Sequence, residues 1–179
     1  MNRPAFTLRP ACPDDALCLS VLALQVFLDT YALEGIRPAI AREALTTYSE
    51  AAFRQALGAS DTWLWVAEAQ AHLIGFAHVR LNARQSLVPD PAPAELLRLY
   101  VQQPFARRGV GRQLLARAEA LAREAGAAQL WLTTWVHNRR ARAFYAACGY
   151  QDLGLTQFHF EGESHDNRVL AKALGAAAE

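Results

Sequence analysis

The chain reads as one α/β (α+β) domain: a mixed, mostly antiparallel sheet of about seven strands flanked by four helices, in the order βααβββαβαββ. Three observations predict it. Apolar residues alternate between a spacing of two and a spacing of three to four along the chain. Glycine and proline fall where the spacing changes. The 179 residues are 53% hydrophobic and 20% charged, enough for one packed core and too apolar for disorder, and no repeat or linker divides them. We expect a single domain over residues 1–174 and a short flexible tail over 175–179.

Phe6-Thr7-Leu8-Arg9-Pro10 alternates and stops at a proline, as a short first strand does. Pro13-Asp14-Asp15 places carboxylates at a helix start, and Leu17, Val21, Leu24 and Leu28 continue at helical spacing, predicting a helix over 14–29. A second helix is expected over 38–57, opened by Pro38, with Leu45, Tyr48, Ala52 and Ala56 on one face and Gly58 as its stop. Trp63 to Glu68 and Leu73 to Leu81 read as paired strands linked by Ala69-Gln70-Ala71-His72, without the usual Asn-Gly signal. Residues 82–93 hold three prolines with Asn82, Ser86 and Asp90 and form a loop. Glu95 to Val101 reads as a buried strand. Val110, Leu114, Ala118, Leu121 and Ala125 mark an amphipathic helix over 108–125 that Gly126 ends. A strand over Leu130–Val136 and a helix over Asn138–Cys148, stopped by Gly149, come next. Two last strands, Leu155–Phe160 and Arg168–Ala173, turn at Glu161-Gly162-Glu163.

Composition removes several functions. Eighteen basic residues against seventeen acidic give a net charge of +1, without the basic footprint that duplex nucleic acid requires. Lys172 is the only lysine, a bias we assign to composition and not to phosphate recognition. Cys12, Cys18 and Cys148 have no CxxC spacing and, with five scattered histidines, no zinc pattern; no metal is expected. The most apolar stretch, Ala16 to Leu28, is interrupted by Ser20 and Gln25 and is too short to span a bilayer. Together with a start that lacks the layout of a signal peptide, this predicts a cytoplasmic protein with reduced thiols.

The most informative segment runs from Leu99-Tyr100-Val101 through Gln102-Gln103-Pro104-Phe105-Ala106-Arg107-Arg108 to Gly109-Val110-Gly111-Arg112. A strand feeds a glycine-bearing loop that becomes a helix start. Such starts expose unpaired N–H groups and partial positive charge, and they take phosphate-type anions. Arg107, Arg108 and Arg112 add cationic donors. A tight turn would use the same glycines, so the segment alone does not decide. It lacks Gly-Lys-Ser/Thr, and Leu114 stands where a dinucleotide fingerprint has its third glycine. Downstream, Asn138-Arg-Arg-Ala141-Arg-Ala-Phe144-Tyr145 places Asn138 and Tyr145 two helical turns apart on nearly one face. Taken singly, Asn138 reads as an N-cap and Tyr145 as a core aromatic.

Together these segments resemble the GNAT (Gcn5-related) N-acetyltransferase family over nearly the whole chain. Arg108-Gly109-Val110-Gly111 matches the end of its pyrophosphate motif, and Asn-x-x-Ala-x-x-Phe-Tyr-x-x-x-Gly-Tyr, ending at Tyr150, matches its downstream helix. Two departures stand out. Ala106 replaces the usual Gln or Arg, and Pro104 sits one residue late, behind Gln103. Phe27-Leu-Asp29-Thr30-Tyr31, Glu95-Leu-Leu-Arg98-Leu-Tyr100-Val101, Trp131-Leu-x-x-Trp135-x-x-Asn138 and Phe160-x-Gly162-x-x-x-Asp166 are most similar to the branch holding PaiA-type spermidine/spermine acetyltransferases.

The resemblance implies acetyl transfer from acetyl-CoA to a primary amine by direct attack in a ternary complex. Backbone N–H groups from Ala106 to Arg112, Val110 included, would hold the pyrophosphate. Leu99, Tyr100 and Val101 would offer backbone to the pantetheine amides, and Asn138 would bond the cofactor arm. Tyr145 would donate a proton, or a hydrogen bond, to the leaving thiolate. At neutral pH only about one in a thousand ordinary amines with a pKa of about 10.4 is unprotonated, so a base is useful. Glu95 is the preferred candidate, against an ordinary strand-end glutamate. Tyr31 would line the acceptor pocket or simply pack. His137 as a relay, Trp131 and Trp135 as pocket wall, and Glu161, Glu163 and Asp166 as a polycation lure are each weighed against structural or solvated roles. Phe144 packs the core. The expected partners are a small-molecule amine and a second copy in a homodimer, with no nucleic acid and no membrane. A non-catalytic acetyl-CoA sensor, which would bind without turnover, and a protein N-acetyltransferase are the alternatives.

Overall fold

The computed structural model describes residues 6–89, 93–160 and 163–175. In chain order the elements are β1 (Thr7–Pro10), α1 (Ala16–Tyr31), α2 (Pro38–Thr47), α3 (Glu50–Gly58), β2 (Thr62–Ala69), β3 (His72–Arg80), β4 (Ala94–Val101), α4 (Val110–Glu124), β5 (Gln129–Trp135), α5 (Arg139–Ala147), β6 (Gln151–Phe160) and β7 (Glu163–Ala173). The sheet has seven strands in the order β1-β2-β3-β4-β5-β7-β6. β1 pairs β2, β5 pairs β7 and β6 pairs β7, all antiparallel, whereas β4 and β5 run parallel. The mixed seven-stranded sheet is the one the sequence predicts, and the helices fall where it places them, the second of the four expected being divided between α2 and α3. The Glu161-Gly162 turn, Asp90 in the loop and the tail beyond Gly175 lie outside the described residues.

The chain divides into two compact units, residues 1–78 with 98–117 and residues 79–97 with 118–179. The first is built on α1, α2, α3, β1 and β2. Its core gathers Leu19, Leu22, Phe27, Ile40, Tyr48, Phe53, Val66 and Phe76. Two expectations about faces are corrected here. On α1 the buried stripe is Leu19, Leu22, Ala23 and Phe27, while Leu17 and Val21 stand 56% and 59% exposed. That helix is apolar nearly all round, so spacing alone does not choose a side. The helix expected over 38–57 is broken into α2 and α3, because Ser49 caps α3 by accepting a hydrogen bond from the Ala52 N–H (3.2 Å). The break rotates the faces, burying Ile40, Ala44 and Tyr48 and leaving Leu45 70% exposed.

The β2–β3 hairpin turns on two residues, Gln70 (φ 51°) and Ala71 (φ 61°), both left-handed without a glycine. β3 approaches β4 so closely at Gly75 that a Cβ there would meet the Tyr100 carbonyl oxygen at 2.7 Å. At the first strand, Arg9 grips Asp15 through two nitrogens (2.7 and 2.9 Å) and Glu68 at 2.9 Å.

In the second unit, β6 and β7 form a long hairpin whose register shifts between Asp152 and Gly154. Ala83, Val88, Trp131, Val169 and Ala171 form its small core, and the Trp131 Nε1–H donates to the Ala83 carbonyl (2.7 Å), tying the loop after β3 to β5.

Candidate active site

In the first unit, β4 ends at Val101 and a single turn over Gln103–Phe105 leads into the loop ahead of α4. Arg107 (φ 62°) and Gly109 (φ 90°) both take left-handed backbone, with Arg108 between them. A Cβ on Gly109 would have nothing within 4 Å, so the backbone there faces open space. The Gly109 carbonyl accepts the first helical bond from the Gln113 N–H (3.0 Å), which makes Gly109 the N-cap. The N–H groups of Val110, Gly111 and Arg112 therefore precede any intrahelical acceptor. Arg108 lies 5.6 Å over the Phe105 ring, bracing the loop.

Behind β4 lies an aromatic group. Phe27 contacts Tyr31 and Tyr48 at ring separations of 5.1 and 4.9 Å, and Tyr100 contacts Phe76 at 5.5 Å. The Tyr48 and Tyr100 hydroxyls are bonded to each other at 3.1 Å. Burial, and then the neighbouring Tyr48, push the Tyr31 phenol up to about 12. Burial drives Tyr100 well above the ordinary tyrosine range. Arg98 on β4 lies 5.1 Å over the Tyr48 ring, with Nη1 2.9 Å from His78 Nδ1. Sequence reasoning placed Tyr100 on the cofactor strand, left Tyr31 between the acceptor pocket and simple packing, and treated Tyr48 only as a packing residue. It missed Arg98 and His78 as functional candidates. The one available signal was alternation, since Arg98 interrupts an otherwise apolar face of β4 that includes Leu96 and Tyr100.

In the second unit, Glu95 pairs with Trp131 in the parallel register of β4 with β5, and its Oε2 is ion-paired to Arg80. Asn138 caps α5, accepting from the Ala141 N–H through Oδ1 (3.0 Å). Tyr145 is buried among Phe144 and Tyr150, at ring separations of 5.2 and 5.5 Å. The Tyr150 hydroxyl is buried with no partner at hydrogen-bonding geometry, and burial first, then Glu119, pushes it upward. Glu119 itself pairs with Lys172 (2.8 Å). Trp131 is core, whereas Trp135 is half-buried with His137 against its edge at 4.9 Å. His137 and Asp166 are exposed, and the side chains of Glu161 and Glu163 lie outside the described residues. Among the described residues there is no cluster of metal-ligating side chains and no helix long and apolar enough to cross a membrane.

The profile of the acetyltransferase (GNAT) family matches residues 30–150, and the chain belongs to that family. Its chemistry is that of an N-acetyltransferase. An uncharacterized N-acetyltransferase of Lactobacillus delbrueckii subsp. lactis is 26% identical, covering 86% of this chain and 88% of the relative. The aminoglycoside N(6')-acetyltransferase type 1 of Stenotrophomonas maltophilia is 35% identical over 85 residues, 47% of this chain and 56% of that protein. In fold, the chain is similar to the crystal structure of PaiA N-acetyltransferase from Thermoplasma acidophilum in complex with coenzyme A. The TM-score is 0.73 at 22% identity, over 94% of this chain and 99% of that one.

Proposed function

We propose that the chain, with residues 1–174 as its catalytic domain, transfers the acetyl group of acetyl-CoA to the primary amine of a small molecule, polyamines being the class its sequence resemblance names. The observation that carries this reading is the loop at 106–112, where two left-handed residues, Arg107 and Gly109, lead into a helix start with open space beside Gly109. Such a cradle fits a pyrophosphate, because the left-handed turn brings the unpaired N–H groups of a helix start together as donors to an anion. The relatives' names agree in kind, since an aminoglycoside also presents an amine.

In this mechanism the N–H groups of 107–112, aided by Arg107, Arg108 and Arg112, bind the diphosphate. Leu99 and Val101 align the cofactor arm through their backbone, and the Asn138 NH2 donates to the same arm. Acetyl-CoA supplies an activated thioester. Glu95 draws the ammonium form of the acceptor and takes its proton, freeing the nitrogen lone pair to attack the carbonyl carbon. As the carbon–sulfur bond breaks, the Tyr145 phenol gives its proton to the thiolate, and the second proton that the attacking nitrogen sheds on becoming an amide restores the phenol. Tyr31 bounds the acceptor.

The test is CoA release from acetyl-CoA across an amine panel that includes spermidine and spermine, with Tyr145→Phe in parallel. Turnover that falls at least tenfold in the variant supports the reading. Tight acetyl-CoA binding without turnover on any small amine refutes it.

A further inference from the structure

We infer that the acceptor is an amine that also carries a carboxylate, and that Arg98, beside the Tyr48–Tyr100 hydroxyl pair, receives that carboxylate. The inference rests on the proposed amine acetylation and narrows its substrate class.

Arg98 is half-buried on β4 and held from two sides. Its Nη1 lies 2.9 Å from His78 Nδ1, and its guanidinium carbon lies 5.1 Å from the Tyr48 ring centroid. A guanidinium has only donors, so Nδ1 accepts and His78 brings no negative charge. Arg9, Arg54, Arg80 and Arg168 each sit on a carboxylate, but among the described residues none pairs with Arg98. A partly desolvated cation without a counter-ion is costly, and an anionic ligand removes that cost.

The neighbouring phenols point the same way. Tyr48 and Tyr100 share one contact, 3.1 Å between hydroxyl oxygens, which uses one of their two protons. The second O–H has no acceptor among the described residues. A phenol is protonated at neutral pH, so this donor persists there. The group thus presents a surplus of donors: four unused guanidinium N–H bonds and one phenolic O–H. A carboxylate matches it, since its two oxygens accept from a planar guanidinium fork and from a hydroxyl together. The Tyr31 ring, 38% exposed and backed by Phe27, offers apolar contact to the rest of the acceptor. A polyamine brings the wrong sign, placing ammonium charge against an uncompensated guanidinium.

The experiment compares amino acids with their decarboxylated twins, phenylalanine with phenethylamine, histidine with histamine and lysine with cadaverine, with spermidine alongside. For at least one pair the native chain should show kcat/KM at least tenfold higher for the carboxylated member, through KM. In Arg98→Gln that ratio should collapse toward one, and Arg98→Lys should restore part of it. Arg54→Gln, which removes an exposed pair on α3, should leave the ratio unmoved. A native preference for spermidine or for the decarboxylated twins overturns the inference while leaving amine acetylation standing, as does an unchanged ratio in Arg98→Gln. Calorimetry on the CoA-bound protein decides the case without turnover. Saturable amino-acid binding weakened at least tenfold in Arg98→Gln, with melting temperature retained, supports the inference; no amino-acid binding overturns it. Absence of turnover on every amine refutes the acetylation reading separately.

Discussion

Replacing Gly109 by alanine isolates what the loop backbone contributes. At φ 90° an L side chain is strained, and with nothing within 4 Å of the added Cβ the cost is backbone strain alone. Left-handed conformation costs a non-glycine residue about 1–2 kcal/mol. If the loop keeps its shape, the variant loses that much stability, a fall in melting temperature of about 2–4 °C per kcal/mol for a chain of this size. If the loop relaxes instead, the helix-start N–H groups turn away from the diphosphate. Acetyl-CoA affinity then drops by a comparable energy, about 5- to 30-fold. Either way the loss falls on the KM for acetyl-CoA or on the melting temperature, and the acceptor KM moves little. The assay pairs steady-state kinetics with calorimetric CoA binding and thermal melting. Arg107 supplies the control, since it pays the same strain at φ 62° without a glycine. Arg107→Gly should hold or raise the melting temperature while weakening CoA through the lost charge. A Gly109→Ala protein with native CoA affinity and native melting temperature would refute the reasoning.

Tyr145→Phe keeps the ring packed against Tyr150 and deletes only the hydroxyl, so kcat should fall at least tenfold with an unchanged melting temperature, read by CoA release. Asn138→Asp preserves the acceptor that caps α5 and removes the NH2 donor; the KM for acetyl-CoA should rise severalfold while the melting temperature stays within a degree or two, an effect of about 1 kcal/mol. The Arg9 guanidinium lowers Asp15 from 3.8 to about 2, so its contribution is fully present above pH 3.8 and is lost as pH falls through 2. Because Arg9 is partly exposed, the contribution is about 1–2 kcal/mol, and urea midpoints at pH 7 and pH 3 should differ less in Asp15→Asn than in the native chain. Replacing Gln70-Ala71 by Asn-Gly suits both left-handed positions and should stabilise by about 1 kcal/mol in a urea melt.

The sequence announces the parts of this protein that are local. Gly109-Val110-Gly111 ahead of an amphipathic run is a strand–loop–helix signal because loop and helix cap lie within a few residues. The order of strands and helices along the chain follows from periodicity and punctuation. Other features depended on tertiary competition. Leu17, Val21 and Leu45 fit helical stripes as well as the residues that are buried, and only packing against the sheet decided which side of each helix turned inward. The Gln70-Ala71 turn carries no glycine, so its left-handed geometry is imposed by the strands on either side. Arg98 and His78 are separated by a strand connection, and their bond exists only once β3 and β4 are formed.

Structural and chemical duties at the candidate site are not rivals, because each side chain has two ends. Asn138 caps α5 through its oxygen and keeps its nitrogen as a donor. Tyr145 packs through its ring, and the proposed acid is its hydroxyl. Glu95 meets Arg80 through Oε2, an ion pair that fixes the carboxylate's position. At each of these positions a packing residue and a reacting residue keep the same neighbours. Discrimination comes from substitutions that conserve the structural end and delete the chemical one. Tyr145→Phe and Asn138→Asp do this, and alanine at either position does not. An alanine variant that loses activity would leave packing and chemistry confounded, whereas a phenylalanine or aspartate variant that folds as the native chain does, yet turns over slowly or binds acetyl-CoA weakly, separates them.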